Sequence, residues 1–139
     1  MKRLFAAIKV IPDDNFMKLY YRLLKDLDGN HINWVKPDNM HITLKFFGET
    51  EESRIGGICE IMDGISLIHK PFSFHLKDIG IFGSRYKPRV IWFGIENPEQ
   101  IINLGVDLLQ KLETAGFEND RQNFVPVFCS HKPFKCSYE

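Results

Sequence analysis

His41-Ile42-Thr43-Leu44 holds the two side chains in this sequence best suited to chemistry. In a strand, alternate residues share a face, so His41 and Thr43 point one way while Ile42 and Leu44 point into the core. An imidazole moves a proton near neutral pH, and a threonine hydroxyl beside it can hydrogen-bond a phosphoryl oxygen. The competing reading is a half-exposed strand histidine with no task, and the tetrapeptide alone does not separate the two. Arg85, Tyr86, Lys87 and Arg89 precede VIWF and form a basic, aromatic edge that suits RNA phosphate and a stacked base. Arg89 lies nearest the strand and is the substrate-binding candidate. A charged hairpin turn is the alternative.

Other reactive side chains fall short of a pattern. Cys59, Cys129 and Cys136 are odd in number and lack CxxC spacing, which predicts reduced thiols rather than a disulfide framework. Cys129, His131 and Cys136 lie close together, but zinc sites use tighter ligand pairs, so no metal is expected. His31, His69 and His75 have no partner motif and read as structural or exposed. Trp34 and Trp92 read as core residues in strands.

Positioning His41 and Thr43 falls to a β-rich framework. Residues 3–11 are apolar and end at Pro12, which predicts a strand. Asp13 or Asp14 can cap a helix whose stripe is Phe16, Leu19, Tyr20, Leu23, Leu24 and Leu27, closed by Gly29. Residues 31–36 and 41–47 predict two strands around the turn KPDN. A helix is expected from Thr50, with Ile55, Ile58, Met62 and Ile65 inward although Gly56 and Gly57 weaken it. Phe72, Phe74 and Leu76 alternate as in a strand, and 89–96 predicts another, with the basic loop GSRYKP between them. Asn97, Pro98 and Gln100 punctuate a helix start, followed by Ile101, Leu104, Leu108 and Leu112 and a stop at Gly116. Residues 124–128 predict a last strand. The order βαββαββαβ implies an α+β domain with a largely antiparallel sheet.

The chain has 139 residues, 44% of them apolar, which fits one globular domain. Its 18 basic and 18 acidic residues cancel, so any anion site must be local rather than a global field. The opening MKRLFAAIKVIPDD is broken by Lys9 and Pro12 and matches neither a secretion signal nor a membrane span. A cytoplasmic protein with no membrane contact is expected.

Four stretches carry a family resemblance: RLFAAIKVIPDD, INWVKPDNMHITLKFFGE, FSFHLKDIGIFGSRYKPRVIWFGIE and LETAGFENDRQNFVP. In this order and spacing the chain resembles the RNA 2′,3′-cyclic phosphodiesterases, historically called 2′-5′ RNA ligases, of the 2H phosphoesterase superfamily. The likeness covers residues 3–126 of a single domain spanning 1–139, with 127–139 a divergent tail. It implies a bilobal α+β fold with antiparallel sheets around a central cleft and one HxT motif from each lobe. It further implies hydrolysis of terminal 2′,3′-cyclic phosphate on RNA ends or small cyclic nucleotides to a 2′-phosphate, without metal or other cofactor, by a monomer.

His41 and Thr43 match the first HxT pair, and Arg89 is the expected substrate contact. The second pair should follow Phe124-Val125-Pro126, but Val127 stands where the histidine is expected and Cys129 where the threonine is. Valine transfers no proton and cysteine is a weak donor. His131 lies four residues further on and would need an altered register to substitute. The resemblance therefore predicts an incomplete second lobe and impaired catalysis. A non-catalytic module that binds RNA ends or phosphate is the alternative, whereas an RNA-recognition-motif domain lacks its strand signature here.

Overall fold

The computed structural model describes residues 1–29, 32, 34–84, 87–118 and 128–129, with side chains omitted for 81–90, 128 and 129. The expectations for His31, Arg85, Tyr86, Val127, His131 and Cys136 lie outside the described residues. Strand β1 (Lys2–Lys9) leads into helix α1 (Asp14–Asp26), a 3-10 turn at Pro37–Asn39 and strand β2 (His41–Thr50). Helix α2 (Glu52–Ile68), strands β3 (His75–Ser84) and β4 (Lys87–Glu96), helix α3 (Glu99–Thr114) and the short strand β5 (Phe128–Cys129) complete the order. β1 pairs with β2, and β3, β4 and β5 form a second sheet, all antiparallel. The expected mixed α+β architecture is present.

Two apolar clusters hold these layers. Ala6 and Leu44 from the first sheet meet Ile58 and Ile65 of α2, Leu108 and Leu112 of α3, and Phe117. The other cluster joins Tyr20 of α1, Val35, Met40 and Ile42 to Phe93 of β4 and Ile101 of α3. Ile8 packs against both. Asp13 starts α1 by accepting from the Phe16 amide at 2.7 Å. Gly116, at φ +82°, ends α3: its amide bonds Glu113 and the next amide, of Phe117, bonds Leu112, while Phe117 and Leu112 share a cluster. Arg54 of α2 secures that end by donating to the Gly116 carbonyl and lying 4.1 Å over the Phe117 ring.

Several boundaries differ from the sequence expectation. Of the strand expected over 31–36, the described residues 32 and 34–36 hold only an isolated bridge at Trp34 before the turn that follows. There Tyr20 donates its hydroxyl to the buried Val35 carbonyl and its ring meets Trp34 edge-on, so this segment serves α1 rather than a ladder. Phe72 and Phe74 precede β3 and pack into the α1 cluster, which explains their alternation without strand pairing. Thr50 ends β2 instead of capping α2; Glu51 occupies that position without a side-chain cap bond. Pro98, not Asn97, borders α3, and Asn97 takes φ +51°. Of the last expected strand, 124–128, only residue 128 lies among the described residues, and it stands in β5 (Phe128–Cys129).

Candidate active site

His41 stands at the first residue of β2, directly after the 3-10 turn. Pro37 at that turn's start has the φ the geometry needs, and the Asn39 and Met40 amides bond back to the Lys36 and Pro37 carbonyls. The turn leaves the Asn39 carbonyl 2.7 Å from His41 Nδ1. A carbonyl can only accept, so Nδ1 carries the proton and Nε2 of the neutral ring keeps its lone pair. That is the tautomer a proton acceptor at Nε2 requires.

The β1–β2 register defines the face on which this ring lies. Lys9 pairs with His41, Ala7 with Thr43 and Phe5 with Phe46, while Ile8 pairs with Ile42 and Ala6 with Lys45. Phe5, Ala7 and Lys9 thus share a face with His41 and Thr43, and Ile42 and Leu44 are buried as expected. Leu44 and Phe47 are extra residues in β2, opposite no partner on β1. The first bulge explains why Leu44 and Lys45 are consecutive and both buried, against the two-residue period of a regular strand. Lys45 Nζ donates to the Glu118 carbonyl, tying β2 to the chain beyond α3.

Phe5 was not singled out by the sequence motifs, yet its ring stacks on His41 with centroids 4.9 Å apart and planes 29° from parallel. The alternation of Phe5, Ala7 and Lys9 against Leu4, Ala6 and Ile8 is the signal that places it on this face. Lys9 is exposed and contributes a local positive charge on the strand opposite the imidazole, in a chain of zero net charge. A groove of about 790 Å³ passes Lys9 and is lined also by Asp13, Phe16, Phe74, His75 and Phe93. His41 and Thr43 do not line it.

The second sheet brings its own elements toward this strand. β4 carries Arg89 as an extra residue between the pairs Gly83 with Pro88 and Phe82 with Val90, so the substrate-binding candidate sits in a bulge. β5 pairs Cys129 with Trp92 and Phe128 with Phe93, and β5 also contacts β2. The backbone position expected to supply the second threonine therefore lies beside the strand bearing the first. Trp92 spreads over Gly80, where an added β-carbon would meet the indole at 2.1 Å. His69 bonds Asp107 at 2.8 Å between α2 and α3, a structural role. Among the described residues no group of three or more His, Cys, Asp or Glu side chains could hold a metal ion, and no helix is long and apolar enough to cross a membrane.

Comparison with known proteins follows the same outline. A family model described as LigT like Phosphoesterase matches residues 10–92. An RNA 2′,3′-cyclic phosphodiesterase of Thermotoga maritima is 38% identical over 126 residues, covering 89% of this chain and 66% of that protein. Its namesake from Archaeoglobus fulgidus is 32% identical over 120 residues, covering 86% and 66%. The chain thus spans just under two thirds of the length of these relatives. The crystal structure of E. coli LigT complexed with 3′-AMP is similar with a TM-score of 0.75 at 23% identity, over 99% of this chain and 77% of that one. The Thermus thermophilus protein TT0787 gives 0.71 at 22% identity, over 99% and 78%.

Proposed function

Because the chain belongs to the LigT-like phosphoesterase family, we propose that it opens the terminal 2′,3′-cyclic phosphate of RNA, or of a small cyclic nucleotide, to a 2′-phosphate. The observation that carries this reading is the His41 ring, whose Nδ1 proton is engaged by the Asn39 carbonyl while Nε2 keeps its lone pair, on the strand face that Thr43 shares. A water oxygen bonds to phosphorus, the bond from phosphorus to the 3′ oxygen breaks, and that oxygen leaves with a proton. Nε2 moves one of the two protons, and solvent the other. The Thr43 hydroxyl holds a non-bridging oxygen, and Lys9 and Arg89 offset the phosphate charge. No step is routed through a metal or another cofactor. The protein acts as a monomer in the cytoplasm.

One observation favours a second reading, a binding module with little turnover: β5 approaches β2 bearing Cys129, preceded by Val127, rather than a second imidazole and hydroxyl. Hydrolysis of a short RNA ending in 2′,3′-cyclic phosphate decides between them. His41→Ala should lower the rate by about 10²–10⁴-fold, the usual contribution of a general acid or base. An unchanged rate removes His41 from the mechanism, and retention of the RNA end without turnover in the unaltered protein selects the binding module.

A further inference from the structure

We propose that Phe5 is a positioning residue for His41, holding the imidazole in the one orientation that presents Nε2 to the phosphate. The inference rests on the hydrolytic reading above and adds to it a residue outside the HxT motif.

Two contacts fix the ring. The Asn39 carbonyl takes the Nδ1 proton at 2.7 Å, which sets the tautomer and one direction in the ring plane. One hydrogen bond still permits the ring to tilt about that axis, because a carbonyl accepts over a broad range of directions. Phe5 removes this freedom. Its ring lies 4.9 Å from the imidazole at 29°, in the stacked range for aromatic pairs, and covers one face of the ring. The brace is itself held. Phe5 sits on β1 opposite Phe46, whose ring lies 6.1 Å away at 45°, and Ala6, next in the chain, is 1% exposed in the core.

The β2 bulge at Leu44 lies between the ladder positions of the two rings. Between the pairs Ala7 with Thr43 and Phe5 with Phe46, β2 spends one residue more than β1, which turns the ribbon more tightly than regular pairing would. His41 and Phe5 are 36 positions apart in the chain and diagonal to each other across the ladder, yet their rings meet.

Three proteins test the brace: unaltered, Phe5→Leu and Phe5→Tyr. Loss of positioning without loss of substrate contact should lower kcat about tenfold in Phe5→Leu, with KM within about twofold. Phe5→Tyr keeps the ring and should restore kcat. The second readout is the His41 Nδ1–H signal by nitrogen-proton NMR, present and slow to exchange with water in the unaltered protein and in Phe5→Tyr, and broadened or lost in Phe5→Leu. Phe5→Met replaces Phe5→Leu if the latter fails to fold. A Phe5→Leu or Phe5→Met protein with unaltered kcat and an unaltered ring signal overturns the proposal, as does a Phe5→Tyr protein as impaired as Phe5→Leu. Should the unaltered protein show no hydrolysis, the hydrolytic reading falls, and the ring signal alone still decides the brace: unchanged in Phe5→Leu overturns it, lost supports it.

Discussion

The two sheets offer the same backbone service and different chemistry. On β2 the sequence delivers His41 and Thr43 to one face, with a turn carbonyl and an aromatic ring to orient the imidazole. On the second sheet, β5 takes its place opposite Trp92 and Phe93 and reaches β2, but the residues it presents are Phe128 and Cys129. Strand placement is governed by ladder hydrogen bonds and by buried residues such as Phe93, which the motif side chains do not supply. A strand can therefore keep its address whatever side chains it carries.

The strongest way to break this comparison is to rebuild the missing chemistry. Val127→His combined with Cys129→Thr should raise the rate of cyclic phosphate hydrolysis by about 10²–10⁴-fold if β5 is correctly addressed. Assay of the double variant beside the unaltered chain reads this directly, and no gain would mean that the address is wrong. A smaller effect sharpens the intact side. Thr43→Ala removes the hydrogen bond proposed to a phosphoryl oxygen and should cost about 1–3 kcal/mol in transition-state binding, read as a fall in kcat/KM.

Stability probes the two sheets without touching chemistry. In the second sheet, Gly80→Ala drives a methyl into the Trp92 indole and should cost about 1–3 kcal/mol in urea unfolding. The smallest effect concerns Tyr20, beneath the joint between the sheets. Burial, and then the neighbouring Tyr21, push its phenol above the ordinary value. The unfolded chain therefore gives up this proton at lower pH than the folded one. The stabilising contribution is complete below the ordinary phenol value of about 10 and is lost as pH rises through the folded value. Tyr20→Phe should flatten that alkaline decline and, by losing the bond to the Val35 carbonyl, cost about 0.5–1.5 kcal/mol near neutral pH, measured by denaturant titration across pH.

Local signals written in neighbouring residues were legible in the sequence. The Asp13 cap, the Gly116 stop and the outward pairing of His41 with Thr43 depend on separations of a few positions. What escaped depends on partners far along the chain. Ile32 and Trp34 look like a strand because they are apolar and alternate with polar neighbours, but Tyr20 claims Trp34 and Val35. No sequence signal marks Asp78, yet it sits at φ +66° as an extra residue in β3 between Lys77 and Ile79. The bulge at Leu44 and the stack of Phe5 on His41 likewise appear only when β1 is laid against β2.

Ile42 and Leu44 belong to different apolar clusters, although one residue separates them. For the backbone between them to swing away, both clusters would have to surrender a side chain at once, so the segment has no private opening motion. Its amides should exchange with solvent only when the molecule as a whole unfolds, whereas exposed helix ends such as Leu67 and Ile68 exchange through local fraying. His41, for which we propose the proton transfer, is thus mounted at the start of a segment expected to open only with the whole molecule.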